Sequence, residues 1–254
     1  MRPRLIFSYG VTKSASTYAF QICAQGLIRA GLPQPRLPAQ ILGARRTINA
    51  VEHLSARQLE QIETLATAWS TRLVLKTHTA PDGPVRDWLA EGRAEAHATY
   101  RDPRDVALSM LDHGRAARAA GRPAFAEFRT LNDTCRGLDD QMTTLAAWLA
   151  LPGTLALTYE ALTTGDGPAR LMRHHGLPGQ AAPLCAHVRN SCFVQFNKGI
   201  QSRHRAEMSA QASARFHARY RPFYALLMPA PPNRTPVLAP GTRLCAMDNR
   251  ICAH

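Results

Sequence analysis

Lysine is almost missing from this chain. Of 31 basic residues only Lys13, Lys76 and Lys198 are lysine, and all the others are arginine. Acidic side chains are scarce as well, 18 against those 31, which leaves a formal charge of +13 and a pI of 10.3. A surplus of that size implies an anionic partner: nucleic acid, a membrane surface or a polyanionic small molecule. Compositional bias accounts for the arginines. It does not account for the three places where a compact ammonium on a flexible stem has been kept.

Other absences narrow the field further. No run approaches the roughly 20 apolar residues of a membrane span. Leu5-Ile6-Phe7 is too short for the apolar part of a secretory signal, so the expectation is a soluble, cytoplasmic chain. The six cysteines form no Cys-x-x-Cys pair, and free thiols are expected. Neither Cys185, His187 and Cys192 nor Cys245, Cys252 and His254 match a zinc spacing, and no metal is expected. A Walker A loop is missing too, because Thr12 stands directly before Lys13 and the only nearby glycine is Gly10.

What is present reads as one α/β domain over residues 1–228, followed by a proline-rich tail over 229–254. Apolar strand patterns at Leu5-Ile6-Phe7, Arg72 to His78, Ala96 to Tyr100 and Gly153 to Tyr159 alternate with helical periodicity. Helices are expected over Thr17 to Ala30, Ser55 to Trp69, Val85 to Glu91, from Pro103 through Leu111, and Leu131 to Leu149. Short helices follow to about residue 190, then a longer one from Ala206 to Leu227 broken near Pro222. Residues 32–54 read as an irregular connection and 113–128 as a mobile segment. The alternation predicts a three-layer α/β sandwich with a mostly parallel central sheet.

Three stretches carry chemistry. Phe7 to Tyr18 reads as a strand, a small-residue turn with one lysine, and the first turn of a helix, whose amides point at an anion. Lys76-Thr77-His78 brings three polar residues together at a strand's carboxyl end, where open parallel sheets bind ligands. Neutral imidazole there is suited to taking a proton from a hydroxyl. Arg101 ends another strand, and Ser109 follows eight residues later on a helix; together they suit the guanidinium and hydroxyl contacts of a phosphate.

Thr12-Lys13-Ser14-Ala15-Ser16-Thr17-Tyr18 resembles the 5′-phosphosulfate loop of the PAPS-dependent sulfotransferases, usually Pro-Lys-Ser-Gly-Thr-Thr-Trp, with Thr12 for proline and Ala15 for glycine. Lys76-Thr77-His78 matches the family's Lys-Thr-His. Arg101-Asp-Pro-Arg-Asp-Val-Ala-Leu-Ser109 is similar to its 3′-phosphate motif, and Tyr159-Glu160-Ala161-Leu162 to its Tyr-Glu-Asp-Leu. Ser191-Cys192-Phe193 and Asn197-Lys198-Gly199 resemble the adenine-side motif and the Arg-Lys-Gly clamp, with Asn197 in place of arginine.

The resemblance implies a P-loop-kinase-like sulfotransferase fold, PAPS as donor and PAP as product. It implies that His78 is the general base, that Lys13 stabilises the leaving phosphate oxygen and that Lys76 holds the sulfonate. Donor contacts fall on Lys13, Ser14, Ala15, Ser16, Thr17, Tyr18, Arg101, Ser109, Tyr159, Phe193, Lys198 and Gly199. The acceptor would be a hydroxyl on a small molecule, glycan or peptide, with residues 32–54 and 113–128 as walls of its pocket. A P-loop-type ATP-dependent kinase acting on a small molecule is the alternative. A nucleic-acid partner is not expected, because the arginines are spread along the chain without a known binding module.

Overall fold

The computed structural model describes residues 2–42, 48–192 and 199–227. In chain order the elements are β1 (Leu5–Gly10), α1 (Ser16–Arg29), α2 (Ala39–Leu42), α3 (Ala56–Ala68), β2 (Leu73–Thr77), α4 (Gly83–Ala90), β3 (Ala94–Tyr100) and α5 (Pro103–Ala119). They continue with α6 (Leu131–Leu149), β4 (Leu155–Thr158), α7 (Tyr159–Thr164), α8 (Gly167–His174), α9 (Ala181–Ser191), α10 (His204–Glu207), α11 (Ala210–Arg219) and α12 (Arg221–Leu227). The chain divides into two compact units, the first made of residues 1–101 and 147–197 and the second of 102–146 and 198–254.

The first unit holds the sheet, four strands, all parallel, in the order β2-β1-β3-β4. From β1 the chain crosses to β2 on one side and then returns past β1 to β3 on the other. The crevice between the carboxyl ends of β1 and β3 is therefore a switch point, the place where open α/β sheets bind ligands. All residues of β1 and β2 are buried, so both strands read as continuous rather than alternating apolar runs.

Alternation nonetheless decides which face each residue meets. Ile6, Val74 and Leu157 pack with Phe20, Cys23 and Leu27 of α1 and with α8 and α9. On the opposite face the Tyr9 ring stacks on Trp148 at 5.5 Å between centroids, with Phe7 at 5.9 Å from the same indole. The Trp148 Nε1–H donates to the Thr79 carbonyl at 2.9 Å, so that indole also ties down the turn after β2.

The register places Glu95, His97 and Thr99 of β3 beside Ile6, Ser8 and Gly10. Every second residue of β3 on the α1 face is thus polar, and these side chains are partnered within the core. The Arg72 guanidinium donates to Glu95 at 2.9 Å, Glu95 accepts from His175 Nδ1 at 2.8 Å, and His175 Nε2 lies 2.9 Å from His97 Nδ1. Burial pulls His97 well below its ordinary range and His175 down to about 4, so both imidazoles are neutral near pH 7.

Helix ends follow the sequence closely. Ser55 and Gln58 form a reciprocal capping box at the start of α3. Asp82 caps α4 ahead of Pro84, and Asp102 caps α5, which begins at Pro103.

Among the described residues, the second unit is helical. α5 runs on to Ala119, well into the stretch expected to be mobile. The following loop then folds back over it: Arg118 Nη1 donates to the Ala126 and Phe128 carbonyls at 2.9 Å each, and Phe125 meets His113 edge-on. Gly114 makes that approach possible, since a Cβ there would overlap the Phe125 and Phe128 carbonyl oxygens. The last helical stretch breaks at Met208-Ser209 and again at Tyr220, close to Pro222, which sits in the first turn of α12, where proline is tolerated.

Several arginines of this unit are committed to carboxylates: Arg104 to Asp102, Arg203 to Asp112 and Glu207, and Arg219 to Asp139. Asp105, fully buried, accepts from the His204 backbone N–H at 2.9 Å and sits 2.8 Å from its Nδ1. The proline-rich tail lies outside the described residues.

Candidate functional site

The loop after β1 is built by its own small side chains. Val11 N–H donates to Thr99 O at 2.9 Å, which anchors the loop to β3. Ser14 is fully buried, and its hydroxyl lies 2.5 Å from Val11 O, 3.0 Å from Thr99 O and 2.9 Å from Thr99 Oγ1. Its N–H also turns back to Val11 O, at 3.2 Å. Ser14 therefore shapes the turn, and both of its polar groups hold the loop's backbone in place.

Lys13 and Ala15 both adopt left-handed backbone, at φ 66° and 64°. The substitution of alanine for glycine at position 15 thus falls where a Cβ is disfavoured. Gly10 cannot be exchanged at all without movement, since a Cβ there would overlap Thr99 Oγ1 and Ser16 Cβ. Ala15 is the N-cap of α1 and supplies no side-chain cap, and the first turn contains no acidic residue. Ser16, Thr17 and Tyr18 open the helix, where backbone amides have no intrahelical acceptor. The ring of Tyr18 is fully buried in the core beneath, with the Arg189 guanidinium 5.5 Å from its centroid.

β2 delivers the second group. Lys76 is its penultimate residue and His78 lies just beyond its end. His78 Nδ1 is 2.6 Å from the Gly10 carbonyl, an acceptor only, so Nδ1 carries the proton and donates it. Nε2 therefore holds the lone pair, and Lys76 Nζ sits 2.6 Å from it. One imidazole is held across the ends of two strands with its basic nitrogen turned toward an ammonium. The sequence offered no sign of the Gly10 carbonyl's part in this, because backbone acceptors leave no residue signature.

Lys13 stands close enough to Lys76 for the two charges to interact. Burial, and then the Lys76 ammonium, pull Lys13 down to about 8. Two ammonium groups held near one another, Lys76 buried and Lys13 partly so, beside a helix end without an acidic cap make a site that an anion relieves.

β3 delivers the third group. Arg101 follows its last residue, is only 5% exposed, and lies with its guanidinium carbon 4.0 Å above the ring centroid of Tyr159, the first residue of α7. That stacking fixes the plane of the guanidinium. Outside the strands, the segment at residues 49–51 runs along the outer edge of β2, where Lys76 N–H donates to Asn49 O at 2.7 Å and Val51 N–H to Lys76 O at 2.8 Å. The connecting segment therefore passes directly beside Lys76.

The first unit thus brings together Lys13, the loop, Lys76 and His78 at neighbouring strand ends, with Arg101 on Tyr159 at the ends of β3 and β4. Ser109, 2% exposed on α5, and Gly199, at φ 70°, belong to the second unit. Phe193 and Lys198 lie outside the described residues.

No family model matches the sequence, and no curated protein matches it either. Solved structures do. A retinol dehydratase in complex with retinol and PAP superposes with a TM-score of 0.56 at 14% identity, covering 93% of this chain and 84% of that one. Mouse sulfotransferase SULT7A1 with PAP superposes with a TM-score of 0.54 at 14% identity, over 86% and 83% of the two chains. The chain has the sulfotransferase fold. A second retinol dehydratase structure, with androsterone and PAP, agrees at a TM-score of 0.55. Within the sulfotransferase fold the phosphate-type loop and the Lys-Thr-His strand end occupy adjacent strands, and no helix among the described residues is long and apolar enough to cross a membrane.

Proposed function

We propose that this chain is a PAPS-dependent sulfotransferase that moves a sulfuryl group to an acceptor hydroxyl by in-line displacement. The observation that carries the reading is the Lys13, Lys76 and His78 group: two ammonium ions and an oriented imidazole at adjoining strand ends, beside an uncapped helix N-terminus. The neighbouring structures support it, since each holds PAP.

The donor supplies the sulfuryl group and departs as PAP. His78 Nε2 takes the acceptor's proton as the acceptor oxygen bonds to sulfur, while Nδ1–H remains on the Gly10 carbonyl and keeps the ring aimed. Lys13 and the first amides of α1 take up the charge that grows on the departing phosphate oxygen as its bond to sulfur breaks.

Lys76 has two positions to serve. Without a sulfonate its ammonium donates to the lone pair that His78 needs; drawn onto sulfonate oxygens, it frees that lone pair for the acceptor. The base then becomes available only when the donor is in place. Arg101, over the Tyr159 ring, presents its guanidinium to the donor's 3′-phosphate; the family resemblance adds Ser109, Tyr159, Phe193, Lys198 and Gly199 as donor contacts. The stretch at 49–51 beside Lys76 forms part of the acceptor wall.

Calorimetric titration with PAP in the absence of magnesium tests the reading, with ATP as control and Arg101→Ala as a second protein. Tight PAP binding that the variant loses is expected. ATP with magnesium binding where PAP does not would replace this reading by the kinase one.

A further inference from the structure

Among the described residues, Cys23 on α1, His97 on β3 and His175 after α8 bring one ligand atom each to within 4.8 Å of one another, and all three side chains are buried. The hydrogen bonds around them fix the proton positions. Glu95 accepts from His175 Nδ1 at 2.8 Å, so His175 Nε2 holds a lone pair turned toward His97. His97 Nδ1, 2.9 Å away, donates its proton there. That leaves His97 Nε2 as a lone pair sealed in the core with no hydrogen-bond partner. Ser8, its register partner on β1, carries a second buried oxygen without one. A polar network this deep is normally satisfied throughout, and this one ends on two orphans.

We propose that Cys23, His97 and His175 form a cation site for a single soft, monovalent metal ion of the Cu(I) type. The ion takes the place of the proton now shared by His97 Nδ1 and His175 Nε2, and Cys23 supplies a thiolate as third ligand. The His97 proton moves to Nε2, which is without a hydrogen-bond partner in the buried network. One proton, that of the Cys23 thiol, is released for each ion bound, and no electron is transferred.

The ligand set and the charge choose the ion. One thiolate with two imidazoles suits a soft or borderline metal. A monovalent ion with one thiolate is neutral, and Glu95 is already paired with buried Arg72 and with Arg2, so binding leaves the charge of the buried cluster unchanged. A divalent ion would leave an uncompensated positive charge in the core, which is costly. Two nitrogens on one three-ligand metal at about 2.0–2.1 Å stand about 3.5 Å apart, so the pair has to open by about 0.6 Å from its present 2.9 Å. Glu95 on His175 Nδ1 is the kind of outer carboxylate that orients a metal-bound imidazole.

The test uses the full-length protein, produced with and without copper supplementation and titrated anaerobically with tetrakis(acetonitrile)Cu(I) against a bathocuproine competitor. One retained equivalent is expected, lost in Cys23→Ser and in His175→Gln and kept in Cys192→Ser. X-ray absorption of the wild-type copper protein, which needs no variant to fold, should show one sulfur and two nitrogen neighbours. No retained copper in either preparation, retention undiminished in Cys23→Ser, or a shell of sulfur alone overturns the proposal; the last would place the ion on other cysteines.

Discussion

The Lys13 ammonium offers a quantitative handle, because its pKa of about 8 brings its titration into the working range. Burial is the larger cause and the neighbouring Lys76 charge the second. If the donor-side anion binds only the protonated form, apparent affinity falls as 1 + 10^(pH − 8), about tenfold, or about 1.4 kcal/mol, between pH 7 and pH 9. An unperturbed lysine would give almost no change over that interval. The phosphate groups of PAP have their second ionisation near 6, so the ligand's charge is constant there. The sign is set: a group whose pKa is low in the free protein and raised by the bound anion takes up a proton on binding, so binding weakens as pH rises through about 8.

Lys76→Met separates the two causes. Removing the like charge should move the midpoint upward, but not to the unperturbed 10.5, because burial remains. Absolute affinity also falls in the variant as one ammonium is lost, so the midpoint rather than the affinity is the readout. Calorimetric titration with PAP from pH 6.5 to 10, in buffers of different ionisation enthalpy, gives affinity and proton uptake together. A flat profile between pH 7 and 9, or a midpoint unmoved by Lys76→Met, would refute the electrostatic reasoning.

Further predictions address the same loop and its base. His78→Gln should lower turnover by about 10²–10⁴-fold while leaving PAP affinity within about twofold, as expected of a proton acceptor that does not hold the donor; equal loss of both would make the residue structural. Ala15→Gly should raise stability by about 0.5–1 kcal/mol, the net of relieving a left-handed alanine and loosening the unfolded chain, seen as a rise of about 1–4 °C in Tm. Ala15→Val should shift it the other way. Gly10→Ala forces a methyl group into Thr99 and Ser16 and should cost about 1–3 kcal/mol of stability, with turnover lowered as well, because the displaced carbonyl is the one that orients His78.

The four strands and most helix starts were legible because their signals are local: apolar runs ending in polar residues, Ser55 with Gln58, Asp82 before Pro84, Asp102 before Pro103. Lys76 and His78 were legible for the same reason, being two residues apart at one strand end. The order of the strands was not, since nothing in β1 says which neighbours it takes. The stretch 113–128 looked mobile from its arginine, alanine and glycine content. Gly114 proved to be the opening that lets the Phe125 to Phe128 loop lie on α5, a contact between residues too far apart for periodicity to reveal. The Ser14 hydroxyl also braces the loop to Thr99, a partner 85 residues away on β3 that sequence spacing does not reveal. The Cys23, His97 and His175 cluster draws on three elements and matches no spacing at all.

The polar face of β3 bears on how this sheet assembles. Glu95, His97 and Thr99 point toward α1, while Ala94, Ala96 and Ala98 point the other way. By apolar content alone β3 would pair equally well shifted by one residue, with its alanines against α1. Such a slip would carry a carboxylate and an imidazole to the Trp148 side, away from Arg72 and His175. The strand is thus a keyed part: it admits one alignment, and the same key that aligns it also brings Arg101 to the rim of the crevice. Errors in pairing would be rejected by unsatisfied charge before any ligand is met.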